Sequence, residues 1–460
     1  MPSVLNFNKL NNHERIETSV LRRNLNPFQK SNSDIPLRFT LHLSSFANCS
    51  EYDKKNLEAL KGYICLSQFR GISTDNCEIP YMVINPTISL SDFDVQIKVP
   101  TDFFSINDYS NWKTHININS FEEKSSFQSD YLRLIAHISM EQDIFITLSS
   151  PLLKSAKKYP FNKTNILTPS EALKVIGVFL RSRGLFYLSN SISTDRTTFF
   201  LTSAYVKVPA LQLFIKKCEL SQSEGLCEII QLIMSVQIRC SRVLETLDFI
   251  GQQYYLQQDN NTSELLKFYF DYLFLLLNGT LDALARIIFR IYEINNPSDE
   301  HKVDFLNKEF KKSLFQKDNY LYKFIYDDQN KNLLLTLSIL RNKIHGSVPR
   351  SSSFTYSNQP RKSYISFPKE ELEQIKSLKN PSLKLLEYGI IKEFNDFFIE
   401  PYTFSIKFSN LIFSYIHGII TRINIDGLFN SHSEILKSFH SNYKIMFTED
   451  CYRQVSLTIW

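Results

Sequence analysis

The sequence predicts an α+β protein, β-rich at the N-terminus and a predominantly helical bundle over most of the rest. Three observations carry this. Between residues 36 and 150, short apolar runs alternate with polar residues at period two and are punctuated by prolines. From 224 onward, apolar residues recur at helical spacing over stretches too long for strands. Glycine numbers only 11 in 460 residues, which disfavours a fold of tight turns or glycine-rich phosphate loops.

Residues 1–35 are polar and read as irregular. In Leu37-Arg38-Phe39-Thr40-Leu41-His42-Leu43-Ser44 the alternation is that of a half-buried strand, and similar runs follow at 81–84, 95–99, 116–118 and 144–148. Pro80, Pro86, Pro100 and Pro151 bound them, and helices are expected at 53–63 and 128–139. Residues 1–150 therefore read as a β-rich sensor or partner-binding domain. His42, His115 and His137 lie far apart without ligand spacing and read as ordinary histidines.

The basic, polar stretch 151–167 reads as a boundary, and 151–223 as a mixed connecting region. Within it, Thr168 is an N-cap, Pro169 suits the first helical position and Glu171 completes a capping box. Gly184 closes that helix, with Arg181 and Arg183 near its negative end. Residues 197–208 look strand-like.

Residues 224–430 read as the bundle, with one or two helices at 226–256 and the most apolar helix at 262–294. Asp271, Asn278, Asp282, Arg286, Arg290 and Glu293 fall near one stripe of that helix, with Asp282 and Arg286 spaced as an i,i+4 pair. Charges in such a stripe are costly at a bilayer centre, so a buried helix is expected and no membrane partner. A Lys-rich connection with a short helix at 302–315 leads to the helix 332–346. Its Leu333, Leu334, Leu337, Leu340 and Ile344 mark a buried face, and Gly346 suits its close. Residues 347–365 read as a flexible basic loop carrying Arg350, Arg361 and Lys362. Helices are expected at 369–398 and 402–424, the second opened by Pro401. The remainder, 431–460, is expected to hold a helix at 431–447 and a terminal strand over 455–460.

The net charge of +5, from 52 basic and 47 acidic residues, permits a nucleic-acid partner without requiring one. Seven cysteines with no CxxC pair suggest neither a zinc ribbon nor a disulfide framework, and a cytoplasmic protein fits. The first residues lack an apolar signal core. No phosphate loop, dinucleotide fingerprint, zinc-protease motif or nucleophile elbow is present, so no cofactor and no metal are expected.

What remains is Arg341 and His345, four residues apart over one helical turn. A guanidinium that stays charged beside an imidazole that titrates near neutrality can hold a phosphate and move a proton. The stretch Leu340-Arg341-Asn342-Lys343-Ile344-His345-Gly346, together with Gly279-Thr280-Leu281-Asp282-Ala283-Leu284-Ala285-Arg286 upstream, resembles the paired motifs of HEPN-domain proteins. The resemblance spans about 225–430. It implies a helical bundle that dimerises and acts as a metal-independent ribonuclease, commonly in prokaryotic toxins and anti-phage effectors. It also implies catalytic roles for Arg341, Asn342 and His345. Lys343 and the basic loop residues Arg350, Arg361 and Lys362 are the candidate RNA contacts. Asn278, Asp282 and Arg286 would be the supporting polar stripe. Active relatives usually place four to six residues between the Arg and the His; here there are three. A non-catalytic dimerisation scaffold whose N-terminal domain binds a protein or ligand trigger is the alternative. A nucleic-acid-binding subunit using the loop 347–365 is the third.

Overall fold

The computed structural model describes residues 37, 39–46, 48–69, 81–83, 130, 134, 143–155, 165–189, 192–221, 227–256, 259–294, 303–346, 351–354, 362–367, 388–393, 396–424 and 449–460. Among them helices dominate, with a few small sheets, and the chain divides into two compact units. The strands expected at 95–99 and 116–118, His115, His137 and the helix expected at 431–447 lie outside the described residues.

The first unit comprises 1–185, 252–262 and 353–362. Its elements are β1 (Phe39–Leu41), α1 (Glu51–Phe69), β2 (Tyr81–Val83), β3 (Ile144–Ile146), α2 (Ser150–Ser155), β4 (Asn165–Leu167) and α3 (Pro169–Ser182). The strands pair in parallel in the order β2-β1-β3-β4, with Leu41 opposite both Val83 and Ile146, and Ile146 opposite Leu167. Parallel strands are covered on both faces, and every residue of β1, β3 and β4 is buried. The period-two, half-exposed strand expected over 37–44 is thus corrected. Thr40 is as buried as its apolar neighbours, and the described part of this region is parallel α/β rather than a β-rich layer. The stretch 151–167, expected to be linker, holds α2 and the edge strand β4.

α3 forms as its caps predict. Thr168 accepts from the Glu171 N–H, and Glu171 accepts in return from the Thr168 N–H at 2.9 Å. At its other end Gly184 takes φ +73°, so the N–H of Leu185 reaches Leu180 O and that of Gly184 reaches Arg181 O, both at 3.0 Å. α3 packs on α1.

The second unit comprises 186–251, 263–352 and 363–460. It opens with the hairpin β5 (Phe186–Ser189) and β6 (Ile192–Thr194), followed by α4 (Arg196–Lys207), α5 (Ala210–Ser221), α6 (Cys227–Tyr255) and α7 (Asn260–Ile291). Then come α8 (Lys308–Lys317), α9 (Asn319–Ile325), α10 (Asp328–Gly346), β7 (Ser351–Phe354), β8 (Lys362–Phe367), β9 (Ile390–Glu393), β10 (Asp396–Ile399), α11 (Pro401–Ile420) and α12 (Glu449–Thr458). Residues 197–208 are helix, not strand. Asp195 caps α4 by accepting from the Thr198 N–H at 3.0 Å, and the Thr202 and Ser203 hydroxyls donate to carbonyls one turn back. The expected loop 347–365 and the end of the expected helix 369–398 supply strands instead, β10 pairing antiparallel with β8 and β9. Aromatic and β-branched content in Tyr364-Ile365 and Phe397-Phe398-Ile399 favours that outcome. Residues 455–458 belong to α12 and 459–460 follow it without forming a strand, and the indole of Trp460 donates to Asp248 at 3.0 Å inside the core.

α6 and α7 are antiparallel. Glu228 pairs with Arg290, Arg239 lies against Gly279 and Phe249 stacks on Tyr269, at matched intervals along both helices. α7 joins α11 through Phe270, Phe274, Phe404 and Phe408. Gly418 of α11 leaves room for the Phe324 ring of α9, since a Cβ there would overlap it. In α10, Leu333, Leu334, Leu337 and Leu340 are buried and Ile344 is half-buried, as their spacing predicts. α7 is long and apolar enough to cross a membrane, and most of its apolar stretch is buried within the protein.

Candidate functional site

The site grows from two helices, α10 and α7. Because Leu337, Leu340 and Ile344 turn one face of α10 inward, Arg341 and Asn342 fall on the outer face and are exposed. Lys343 and His345 lie on the same last stretch of helix, which runs through Gly346 instead of stopping before it.

On α7, the Asn278 amide donates to Asp282 Oδ2 at 3.0 Å. Burial holds the Asp282 carboxyl above its usual range, opposed most strongly by the Arg341 guanidinium, and then by Arg286 and Arg239; Asp304 pushes it further up. The two stretches singled out in the sequence, one around Asp282 and one around Arg341, therefore meet electrostatically. The i,i+4 pair expected between Asp282 and Arg286 does not close. Among the described residues no carboxylate lies within 4 Å of Arg341, Arg286 or Arg239, and Arg286 Nε is buried without a hydrogen bond. Three guanidinium groups, Arg341, Arg286 and Arg239, thus act on Asp282, opposed by the one carboxylate of Asp304.

Arg239 did not emerge from the sequence. It sits at the middle of α6, and its guanidinium occupies the space where residue 279 would carry a side chain; a Cβ there would overlap Nη1 and stand 3.2 Å from Cζ. Glycine inside a helix costs about 1 kcal/mol relative to alanine. In a chain so poor in glycine, Gly279 was the one available sign that something approaches α7 closely.

Other expected site residues do not join this cluster. Lys362 is buried on β8, and its Nζ donates to Tyr254 O at 2.9 Å while lying 3.9 Å from the Tyr254 ring centroid. It is committed to the first unit rather than presented to RNA. Arg350 and Arg361 lie outside the described residues. Arg290, on the polar stripe of α7, pairs with Glu228.

A second polar network occupies the first unit. His42 follows β1, and Thr147 and Ser149 follow β3, so all three stand at the carboxyl ends of adjacent parallel strands, where α/β sheets commonly bind ligands. His42 Nδ1 is 2.8 Å from Thr147 Oγ1, and Nε2 is 3.2 Å from Asp130 Oδ1. Ser149 Oγ donates to Asp130 Oδ2 at 2.6 Å, and the Ser149 N–H donates to Thr147 Oγ1 at 2.9 Å. One tautomer fits: Nε2–H donates to Asp130, and the Thr147 hydroxyl, itself accepting from Ser149, donates to Nδ1. The sequence reading, which treated His42 as ordinary, missed this alignment. Thr147 is fully buried and both ring nitrogens are engaged, so the network is a closed clasp.

Among the described residues no group of three or more His, Cys, Asp and Glu side chains is arranged to hold a metal ion. Searches of protein families, curated proteins and solved structures return no match to the chain.

Proposed function

We propose that this protein is a metal-independent RNA endonuclease of HEPN type, acting as a toxin or anti-phage effector. The observation that carries the reading is the meeting of exposed Arg341 with the Asp282–Arg286 stripe of α7 in a cationic cluster. Arg341 binds the non-bridging oxygens of the scissile phosphate and neutralises the charge that builds as phosphorus becomes five-coordinate. The RNA 2′-oxygen attacks phosphorus, its proton passes to solvent water, and the P–O5′ bond breaks. His345 moves the proton that the leaving 5′-oxygen requires. The products are a 2′,3′-cyclic phosphate and a 5′-hydroxyl, and no water is consumed in that step. Asn342 orients the phosphate.

A second copy completes the cleft. Leu265, Phe268, Tyr272 and Leu275 form an exposed apolar stripe on α7, and Met234 and Ile238 of α6 are exposed as well. The stripe continues at the same helical spacing into Gly279, Asp282 and Arg286. Pairing of two such faces would bring two arginine clusters together. The same stripe favours the alternative reading, a non-catalytic scaffold that dimerises through α7 and binds a partner through its N-terminal unit.

Incubation of the full chain with RNA in EDTA, followed by end-group analysis, tests the choice. Cleavage to cyclic-phosphate ends is expected, reduced about 10²–10³-fold in Arg341→Ala and comparably in His345→Ala, with unchanged melting curves. Full activity in both folded variants would refute the nuclease assignment. No cleavage by a dimeric parent chain would leave the scaffold.

A further inference from the structure

We propose that Arg239, lodged in the gap left by Gly279, is a phosphate-binding residue of the same site. The inference rests on the RNA reading above and extends it to a residue on a third helix.

Arg239 crosses from α6 to α7, tethered by the 3.3 Å contact of its Nε with Ser235 Oγ, and its guanidinium lies over the α7 backbone at Gly279. The residue is half-buried, so its position is held while solvent still reaches the cluster. It acts on the same carboxylate, Asp282, as Arg341 and Arg286 do, yet no ion pair within 4 Å ties it to any described carboxylate. A structural salt bridge would close that distance. An arginine kept beside two others, without a close counter-ion, is costly until an anion arrives. Gly279 and Asp282 are three residues apart, about 4.5 Å along the helix axis, so the Arg239 guanidinium lies within one turn of the carboxylate on which Arg341 also acts. A side chain at 279 would evict the guanidinium, which accounts for glycine within a helix.

The test uses the full chain carrying His345→Ala, so that RNA is bound without being cut, and fluorescein-labelled single-stranded RNA titrated at several salt concentrations. Arg239→Ala is expected to weaken binding about tenfold at low salt, the scale of one charge-assisted contact. It should also lower the slope of log Kd against log salt by about 0.7, the value for one phosphate contact on a single strand. Gly279→Leu keeps the arginine but displaces it, and should reproduce both changes. Arg239→Lys should retain the slope. A purely structural Arg239 would lower the melting temperature and leave the slope alone, and that result would overturn the inference. If the His345→Ala chain binds no RNA and the parent chain cuts none, the nuclease reading fails and takes this inference with it. RNA cleavage by the parent with unchanged slopes in both variants overturns this inference alone.

Discussion

The two polar clusters of this protein are built on opposite principles. In the first unit, His42, Thr147, Ser149 and Asp130 satisfy one another, each donor meeting an acceptor at 2.6–3.2 Å. In the second, Arg239, Arg286 and Arg341 outnumber the carboxylates acting with them on Asp282, and among the described residues none closes an ion pair. A satisfied buried network rigidifies the segments it joins, here the ends of β1 and β3 with the segment around Asp130. An unsatisfied, partly exposed one carries a standing cost that a ligand of opposite charge removes. The usual location of a ligand site, the carboxyl edge of a parallel sheet, is occupied by the closed cluster, whereas the open cluster lies among helices. Location in the fold is therefore a weaker guide to binding than the balance of donors, acceptors and charge.

The sharpest way to break this comparison is His42→Ala. It strips both Asp130 and Thr147 of a buried partner and leaves a cavity, and is expected to cost about 3 kcal/mol of stability in urea unfolding. RNA cleavage per folded molecule should stay at the parent level. A variant of normal stability that has lost cleavage would place His42 in the chemistry and erase the distinction.

Lys362 gives a smaller effect and separates the two kinds of cation directly. Its ammonium is buried against the Tyr254 carbonyl and ring. Lys362→Met should therefore cost about 1–3 kcal/mol of stability while leaving the salt slope of RNA binding unchanged, the reverse of what is expected for Arg239→Ala. A flattened slope in Lys362→Met would return that residue to the RNA surface.

The contrast also explains what could be read from the sequence. Helices with local signals were legible: the Thr168–Glu171 box starts α3, Pro401 opens α11, and the leucine spacing of α10 gives its buried face. Arg341 and Asp282 stood out because each lies in a short local motif. Arg239 did not, because its partner Gly279 lies on another helix. His42 did not, because Thr147 is 105 residues away in the chain. Residues 197–208 misled through their β-branched content, which an Asp195 cap overrode. The Ser- and Pro-rich composition of 347–365 marked a loop but could not report that Lys362 and Tyr364 are buried in a strand. Parallel pairing was illegible for the same reason, since runs as short as Phe39–Leu41 and Ile144–Ile146 carry no sign of their partners.

Asp271 gives the smallest expected effect and tests the idea within one helix. Three turns before Asp282 on α7, it has no arginine acting on it among the described residues; Oδ1 is buried without a hydrogen bond, and burial, only partly opposed by Lys267, raises the carboxyl to about 6. The ordinary value is 3.8, so between these two pH values the folded state binds a proton that the unfolded state has released. That stabilisation is fully present below 3.8 and is lost as pH rises through about 6, beyond which the folded protein carries an unpaired, half-buried carboxylate. The shift taken at face value corresponds to about 3 kcal/mol, and solvent screening at a partly exposed site reduces it to about 1 kcal/mol. Asp271→Asn removes the charge while keeping the shape. It should therefore raise stability by about 1 kcal/mol at pH 8 and approach no gain near pH 4, measured as the difference between variant and parent in urea unfolding at each pH. The same substitution at Asp282 should give a smaller gain at pH 8, because there three arginines oppose the effect of burial, which still holds the carboxyl above its usual range. Equal gains at both positions would show that the guanidinium groups of the cluster do not compensate Asp282, and that the open site is less cationic than its geometry implies.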